Sequence, residues 1–510
     1  MMDFSGLDPV RYVSLPSYAW DSMLKLTNCE IGLLPEIDMV HFIESGLRGG
    51  HSFINTRHLV GNTDQKSKNP GNFIFYMDTN NLYGHAQSEL LPYNNFEWVD
   101  QNELQKINWM SLNTDDAIGY ILEVDLTYPP YLHEMHNSFP LAPEACIIQT
   151  KNLSPFALEN LILSQASSNY KSEKLTSTFY RRKNYVVHLK NLQLYIQQGM
   201  KLKKVWRALK FNQSNFLSYY IDLCTQKRKT SISEFSKNLY KLLANSCFGK
   251  TLQDPRKYSK IFLCNNVEKA RKQISSPLYR SHMIINENLV AITVEIPKIR
   301  HTKPYAIGYA VLELSKHFMY DFYYNKLLQT FSFKDIDLGF SDTDSLCFSL
   351  YSKNGYLYAL KKLQPFIDFS NYPKNHLFFS EAHKKELGYF KDELEGTKIC
   401  SEFIGLRSKV YAMKFTGSNS KLVCKGLGRV AIKNRLKFKH YKKCLHNSIT
   451  FRSSFASFQS KKHELLTVIR HKKALSNFDT KRYIFDCGIH STPYGSCMIK
   501  KYRYCYKCKK

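Results

Sequence analysis

Residues 339–350 read GFSDTDSLCFSL and place two aspartates, Asp342 and Asp344, one residue apart inside an apolar segment. Apolar residues alternate with small or polar ones on both sides of this pair, which is typical of half-buried strands. The Ser-Asp-Thr-Asp-Ser centre favours a turn, because short polar side chains hydrogen-bond their own backbone. We therefore predict a β-hairpin over 336–350 with both carboxylates at its tip.

Two carboxylates this close together repel each other, so the fold must supply something that offsets their charge. One interpretation is a solvated turn in which the aspartates cap backbone N–H groups. The other is a site for a divalent cation, Mg²⁺, because such hard ions are held by one or two carboxylates together with substrate phosphates. The second interpretation requires a third carboxylate and a cationic group for the phosphates.

Asp78 is the candidate for the third carboxylate. The apolar run from Phe73 to Met77 predicts a buried strand that ends at Asp78, followed by Thr-Asn-Asn. An aspartate in this position could instead cap a helix. Facing the pair at the hairpin tip, it would complete a two-metal site of the kind that activates an attacking oxygen and stabilises a leaving oxygen.

The segment 226–250, QKRKTSISEFSKNLYKLLANSCFGK, supplies the candidate cationic group. Its apolar residues recur at helical spacing and predict one amphipathic helix with a basic second face. Lysines on such a face are usually solvated, but they could hold a triphosphate, with an aromatic ring near the sugar and base. We expect Gly249 to end the helix or to allow close approach of the backbone. The second face consists of Lys229, Ser233, Lys237, Lys241, Asn245 and Phe248.

The charge of the chain favours a polyanionic partner. Its 510 residues include 72 Lys and Arg against 43 Asp and Glu, a formal net charge of +29. Residues 421–510 hold 23 of the basic residues and only three acidic ones. Because these basic residues alternate with Phe, Tyr, Leu and Ile, they predict a folded basic subdomain and not a disordered arm. The 34 Tyr and 33 Phe residues could also provide surfaces for base stacking.

The 13 cysteines are scattered and odd in number, which indicates an intracellular, reducing compartment. The nucleus, the cytoplasm and an organelle all satisfy that condition. The N-terminal residues lack the order of a signal peptide. There is no uncharged apolar run of bilayer-spanning length, so we expect no membrane partner.

The C-terminal region contains five residues that could bind zinc. The Cys505-x-x-Cys508 pair has ligand-like spacing. The other candidates are irregularly spaced and the pair lies at the extreme end of the chain, so the sequence alone does not predict a zinc site. The candidates are Cys487, His490, Cys497, Cys505 and Cys508.

Three segments, in this order, resemble motifs A, B and C of the family B DNA polymerases. They are Asp78-Thr-Asn-Asn-Leu-Tyr-Gly84, Lys241-Leu-Leu-Ala-Asn245-Ser246-Cys-Phe248-Gly249 and Phe340-Ser-Asp342-Thr-Asp344-Ser345. The chain is most similar to the protein-primed branch found in viruses, linear plasmids and self-synthesising DNA transposons. GLRGG at 46–50 resembles a template-contacting element of that branch, with Leu47 in place of tyrosine. LRSKVY at 406–411 resembles its Lys-x-Tyr element at the primer end.

The resemblance implies a role for each matching residue. Tyr83 would be the steric gate that excludes a ribose 2′-hydroxyl. Phe248, Phe340 and Asn81 replace a tyrosine, a tyrosine and a serine that are common in the family, and we expect these changes to be tolerated. The implied metal ligands are Asp78, Asp342 and Asp344; the catalytic lysine is Lys241; the nucleotide contacts are Leu82, Tyr83, Lys229, Lys237, Asn245, Phe248 and Gly249; and the DNA contacts are Arg48, Gly49, Gly50, Ser246, Lys409 and Tyr411.

The fold implied by the resemblance is an α+β right-hand polymerase, with an antiparallel palm sheet, helical fingers, two insertions and a basic thumb. Only 77 residues precede Asp78, too few for the 3′–5′ exonuclease domain of most relatives. We therefore expect no proofreading, or an upstream region that would lie before Met1. The predicted division is 1–77 lead-in, 78–119 palm with motif A, 120–211 first insertion, 212–254 fingers, 255–302 second insertion, 303–419 palm with motif C, and 420–510 thumb.

The implied activity is that of a DNA-directed DNA polymerase that uses two Mg²⁺ ions, or Mn²⁺, and replicates a mobile or viral-type element. Its expected partners are primed template DNA, dNTPs and a terminal priming protein, and we expect a monomer. One alternative is a catalytically inactive, transposon-derived DNA-binding protein. A reverse transcriptase or an RNA polymerase is the other, although Asp-Thr-Asp-Ser in place of adjacent aspartates argues against both.

Overall fold

The computed structural model describes residues 1–64, 68–163, 172–461, 464–501, 505 and 507–508. The α-helices are α1 Met2–Ser5, α2 Leu15–Thr27, α3 Ile37–Gly46, α4 Leu82–Ser88, α5 Gln101–Lys106, α6 Pro155–Leu163, α7 Leu189–Gln197, α8 Ser218–Thr230, α9 Glu234–Thr251, α10 Val267–Ile274, α11 Tyr305–Asp321, α12 Leu328–Thr330, α13 Gly355–Leu363, α14 Arg429–Arg435, α15 Phe438–Asn447 and α16 Cys497–Lys501. The strands are β1 Ser52–Ile54, β2 His58–Val60, β3 Gly71–Thr79, β4 Leu91–Trp98, β5 Ile118–Thr127, β6 Glu144–Ile147, β7 Glu173–Thr176, β8 Arg182–His188, β9 Lys201–Ser214, β10 Ser259–Cys264, β11 Tyr279–Asn286, β12 Leu289–Glu295, β13 Ile336–Asp342, β14 Ser345–Ser352, β15 Ile367–Asp368, β16 Phe390–Asp392, β17 Ile399–Arg407, β18 Val410–Thr416, β19 Lys421–Cys424, β20 Phe451–Lys461, β21 Glu464–Leu475, β22 Tyr483–Ile484 and β23 Ser491–Thr492.

A six-stranded sheet in the order β1-β13-β14-β3-β16-β15 forms the centre of the structure. Its neighbouring strands are antiparallel except for the pair β15 and β16. β13 and β14 are the two arms of the predicted hairpin, and β3 is the predicted strand that leads to Asp78. Because β3 and β14 lie in the interior of the sheet, their side chains are almost all buried.

Aromatic side chains fill the space behind the central sheet. The rings of Phe75 and Phe348 stack across β3 and β14 with their centroids 5.6 Å apart, and Tyr356 stacks on Phe75 at 5.3 Å. α11 packs against the same core and is buried along most of its length. It continues into a π-helical segment, Phe322–Leu327.

The predicted first insertion shares its sheet with the predicted palm. β9 pairs with β4 on one side and with β5 on the other, in the sheet order β4-β9-β5-β8. Leu122 and Val124 of β5 belong to the same hydrophobic cluster as Phe75 and Phe348. The described residues of 120–211 therefore contribute to the central core.

The prediction of one continuous helix over 226–250 is wrong. α8 ends at Thr230, and α9 begins at Glu234 with Ser233 as its N-cap, where the Ser233 hydroxyl accepts a hydrogen bond from the Ser236 N–H at 3.1 Å. The short polar residues Thr230, Ser231 and Ser233 favour such a break because they can cap a new helix. As a result, Ile232 and Phe235 of the predicted apolar face are exposed, whereas Leu243 and Cys247 are buried.

The remaining segments form smaller sheets. β19-β18-β17-β2 packs beside the central sheet, and β10-β12-β11 makes up most of the predicted second insertion together with α10. β20 and β21 pair as a long hairpin within the basic C-terminal region. Among the described residues, no helix is long and apolar enough to cross a bilayer. All thirteen cysteines have free thiols in the structure.

Candidate active site

The turn between β13 and β14 brings Asp342 and Asp344 together. Asp342 is paired in register with Ser345, and the Asp344 N–H donates to the Asp342 carbonyl at 2.7 Å. Thr343, between them, has a φ of 63°. This left-handed conformation is unfavourable for a β-branched residue, so neighbouring contacts must hold the turn. One of these is the hydrogen bond from the Thr343 N–H to the His51 carbonyl, at 2.9 Å.

Asp78 lies next to this turn on the neighbouring strand. It is paired with Ser345 of β14, so Asp342, Ser345 and Asp78 form one row across three adjacent strands. Residues directly opposite each other in a sheet project from the same face. The Thr79 N–H also donates to the Asp344 carbonyl at 2.8 Å, which fixes the end of β3 against the turn. The structure therefore brings the three predicted carboxylates together.

The carboxylates are partly buried, and two of them, Asp78 and Asp344, are harder to ionise than usual. Burial raises the pKa of Asp78 to about 7, and the charges of Asp344 and Glu393 add to the rise. Burial also raises the pKa of Asp344, with a contribution from Asp342. The positive charge of Lys241 opposes both shifts. The site thus concentrates negative charge where water can only partly solvate it.

Two lysines from separate elements act on these carboxylates. Lys409, in the turn between β17 and β18, places its Nζ 2.5 Å from Asp342 Oδ1. Its φ of 60° puts it in the left-handed region as well. Lys241 lies on α9 and favours ionisation of Asp78 and Asp344 through its charge. Lys229 and Lys237 are placed differently, since Lys229 is on α8 and Lys237 pairs with Glu234 at 2.6 Å.

The aromatic residues of the predicted nucleotide pocket contact each other. Tyr83, in the first turn of α4, stacks on Phe248 of α9 with the ring centroids 4.7 Å apart and the planes 15° from parallel. Burial raises the pKa of Tyr83, and the negative charges of Asp344 and Asp342 raise it further. Leu82, the residue before Tyr83, is buried in the hydrophobic core behind the central sheet.

Asn245 and Gly249 lie on the helix that carries Phe248. The Asn245 side-chain oxygen is buried and has no hydrogen-bond partner among the described residues. A buried amide oxygen in that condition is unfavourable unless a ligand or water donates to it. Ser246, the next residue, is half-buried. Gly249 does not end the helix as predicted, because α9 continues to Thr251. A Cβ added at Gly249 would meet nothing within 4 Å.

The GLRGG segment packs against the hairpin tip where Gly50 contacts Thr343. A Cβ on Gly50 would lie 2.4 Å from Thr343 Oγ1, whereas one on Gly49 would meet nothing within 4 Å. Arg48 points inward: its Nη1 donates to the Val186 carbonyl at 2.7 Å, and its guanidinium lies 3.8 Å from the centre of the Tyr185 ring. The Arg48 side chain is therefore occupied within the protein, and its contact with DNA stays a prediction.

Tyr411 also lies inside the protein. Its ring stacks on Phe340 at 4.4 Å, and its hydroxyl lies 3.4 Å from that of Tyr76. Only 5% of Tyr411 is exposed, so in this structure its side chain supports β13. Lys409, two residues earlier, is more exposed than Tyr411, with 37% of its side chain accessible to solvent.

Sequence reasoning missed a basic cavity of about 440 Å³ beside the hairpin tip. Its cationic lining comes from distant parts of the chain, and Lys481 hydrogen-bonds the Ser52 carbonyl at 2.6 Å opposite Asp342. Sequence reasoning also missed Glu393, whose charge acts on Asp78. Apart from Lys409, which lies in the Lys-x-Tyr element, no local pattern marks these residues as neighbours of the hairpin tip, because the fold alone assembles them. The basic lining residues are Lys174, Arg407, Lys409, Lys425 and Lys481.

The donor set at the hairpin tip suits a hard divalent cation. Asp78, Asp342 and Asp344 offer only carboxylate oxygens, the ligand type that Mg²⁺ and Mn²⁺ prefer. Lys409 pairs with one of the three, which leaves net negative charge. Burial, together with the charges of Asp344 and Glu393, raises the pKa of Asp78 to about 7 although Lys241 and Lys391 act in the opposite direction.

The family model for DNA polymerase type B, organellar and viral, matches residues 7–326. This is more than half of the 510-residue chain. The chain belongs to this family of DNA-directed DNA polymerases. A comparison with curated proteins gave no match.

Two solved structures share the fold of this type B polymerase. They are Phi29 DNA polymerase with primer-template DNA, at a TM-score of 0.57, and the same enzyme with primer-template DNA and incoming nucleotide substrates, at 0.56. Sequence identity is 15% in both cases. The match to the first structure covers 92% of this chain and 69% of the Phi29 polymerase chain. The match to the second covers 93% of this chain and 69% of the Phi29 polymerase chain. The likeness confirms the predicted α+β right-hand polymerase fold.

The contact between Gly50 and Thr343 predicts a destabilised Gly50→Ala variant. The added methyl group must displace a threonine held in an unfavourable turn, which should lower the free energy of unfolding by about 1–3 kcal/mol. Gly49→Ala, the matched control, should have little effect because its methyl group enters open space. Thermal or urea unfolding of the two variants measures the difference.

A second substitution tests the cause of that loss. Adding Thr343→Gly to Gly50→Ala removes the atoms that the methyl group would strike, so most of the stability should return. If the double variant is no more stable than Gly50→Ala, the contact between these two residues is not the source of the effect.

Proposed function

We propose that this chain catalyses template-dependent addition of deoxynucleotides to the 3′-hydroxyl of a DNA primer. The observation that carries the proposal is the convergence of three carboxylates at the ends of adjacent strands of the central sheet, with a stacked aromatic pair and the charge of Lys241 acting on the same group. The reaction is attack of the primer oxygen on the α-phosphate of a dNTP, with pyrophosphate as the leaving group. Replication of a mobile or viral-type genetic element would be its biological context.

Asp78, Asp342 and Asp344 would hold two Mg²⁺ ions, for which Mn²⁺ is a chemically suitable replacement. Bound there, the ions would promote deprotonation of the primer hydroxyl and stabilise charge on the phosphates. The protein's part is to fix the three carboxylates before substrate arrives. It does so through the β3–β14 pairing and the short turn at Thr343, so little reorganisation remains for the reaction itself.

Residues of α4 and α9 would bind the incoming nucleotide. Lys241, with Lys237 farther along the same helix, would contact the triphosphate. The ring of Phe248 offers a stacking surface, and the unpaired oxygen of Asn245 can accept a hydrogen bond. Tyr83 would lie where a ribose 2′-hydroxyl would be and would exclude it by contact. Lys229, on the neighbouring helix α8, would at most reach the outer phosphates.

The DNA would lie along the basic side of the site. The cavity beside the hairpin tip concentrates lysine and arginine next to Asp342, where the primer end must arrive. Such residues would hold backbone phosphates without reading sequence. Gly49, exposed and unobstructed, leaves room for a template strand beside the site. The exposed β20–β21 hairpin and the rest of 420–510 would extend this grip as the thumb.

Primed template DNA and dNTPs are the partners that this mechanism requires. A terminal priming protein would be a further partner if priming uses a protein hydroxyl, as the resemblance to the protein-primed branch implies. The thirteen free thiols fit a reducing compartment within the cell.

Primer extension by Asp344→Asn tests the proposal. The change keeps the size of the side chain and removes its charge, so extension of a primed DNA template with Mg²⁺ and dNTPs should fall by at least about 100-fold. Asp115→Asn, in an exposed loop, is the matched control and should extend primers at the wild-type rate. If the folded wild-type protein binds the template but never extends it, the chain is a DNA-binding remnant.

The contact of Tyr83 with Phe248 predicts how sugar selection can be changed. Tyr83→Ala opens the space next to the sugar, so the preference for dNTPs over rNTPs in kcat/KM should fall by about 10- to 200-fold. Tyr83→Phe keeps the ring and should keep the preference. Equal discrimination by the alanine variant and the wild type would show that another group excludes the 2′-hydroxyl.

A further inference from the structure

Four potential metal ligands at the C-terminal end of the chain surround one point. They are three cysteines, Cys487, Cys505 and Cys508, and His490, and their ligand atoms all lie within 4.8 Å of one another. The three thiol sulfurs lie 3.6, 3.3 and 3.4 Å from His490 Nδ1, in the same order. None of the cysteines is in a disulfide.

These distances fit ligands around a single tetrahedral ion. With zinc bonds of about 2.3 Å to sulfur and 2.0–2.1 Å to nitrogen, a tetrahedral arrangement separates sulfur and nitrogen by about 3.6 Å. The observed separations lie within about 0.3 Å of that value. Three thiolates and one imidazole form a closed ligand set, which is typical of structural zinc and leaves no position for substrate.

The loop that carries Cys487 and His490 is shaped for this purpose. The His490 N–H donates to the Cys487 sulfur at 3.4 Å, and the Phe485 N–H donates to the His490 carbonyl at 3.0 Å. Gly488 lies between them with a φ of 68°, which a side chain would disfavour. The second ligand pair is tied to the same loop, because the Cys505 N–H donates to Asp486 Oδ1 at 2.8 Å.

The ligand segments are tied to the connection between β1 and β2 and to the central sheet. Arg57, which is 1% exposed, donates from its backbone N–H to the Ile489 carbonyl and from its Nη1 to the Gly488 carbonyl, both at 2.9 Å. Next to Cys508, Lys507 pairs with Asp337 of β13. β13 ends at Asp342, so an ion in this position would fasten the end of the chain to the strand that carries part of the active site.

We propose that Cys487, His490, Cys505 and Cys508 bind one Zn²⁺ ion that fastens the C-terminal segment to the central sheet. This site is separate from the carboxylates at the hairpin tip and takes a different class of metal. Cys497, the fifth candidate in the sequence, is not part of it: its thiol is exposed and lies 3.8 Å from the Pro130 carbonyl.

Metal analysis of the full-length wild-type chain is the first test. The protein is produced without a histidine tag in medium that supplies both zinc and iron, and is purified without chelators. We expect one zinc per chain by mass spectrometry, and replacement with Co²⁺ should give the visible absorption of tetrahedral cobalt with thiolate ligands. Less than about 0.1 zinc per chain, or iron in place of zinc, would overturn the proposal.

Substitutions then assign the ligands. Cys487→Ser should lose the zinc and lower the midpoint of thermal unfolding, whereas the matched Cys497→Ser should keep both at wild-type values. Cys508→Ser removes an exposed ligand and serves if Cys487→Ser fails to fold. Zinc content that is equal in Cys508→Ser and Cys497→Ser would place any bound metal elsewhere. Because zinc and stability are measured without DNA or nucleotide, the result does not depend on polymerase activity.

Discussion

The repulsion among three partly buried carboxylates is the constraint around which the rest of this structure is arranged. Pairing of β3 with β14 sets Asp78 beside the hairpin tip, and burial raises its pKa to about 7. Isolated carboxylates would escape this penalty by turning toward solvent. Here the turn at Thr343 is held by His51 and by close packing against Gly50, so these carboxylates cannot turn toward solvent. The fold thus maintains an unfavourable arrangement that a divalent cation would relieve.

Elements from distant parts of the chain place positively charged residues near these carboxylates. Lys409 comes from the β17–β18 turn, and Lys241 comes from α9 together with the ring that stacks on Tyr83. The basic cavity adds residues from the C-terminal region. The net charge of +29 is therefore not spread evenly over the surface. Part of the positive charge is concentrated beside the hairpin tip, where a polyanion would lie next to the acidic side chains.

Local sequence patterns were sufficient to predict the strands that carry the carboxylates. They were insufficient to predict much of the surrounding structure. Strand alternation around Asp342 and the apolar run before Asp78 predicted the hairpin and its neighbouring strand, because both depend on short-range periodicity. The break at Ser233 was missed because the helical spacing of apolar residues continues across it, while capping decides the boundary. The inward positions of Arg48 and Tyr411, and the cluster of Cys487, His490, Cys505 and Cys508, depend on tertiary packing that no local pattern records.

The most direct measurement of the central claim is anomalous diffraction from a crystal of the protein with primed DNA, a non-reactive dNTP analogue and Mn²⁺. The account predicts manganese peaks in contact with Asp78, Asp342 and Asp344, with the analogue's triphosphate beside them and its sugar against Tyr83. A complex with DNA and nucleotide bound but no manganese at these carboxylates would contradict it. Manganese held by other residues would contradict it equally.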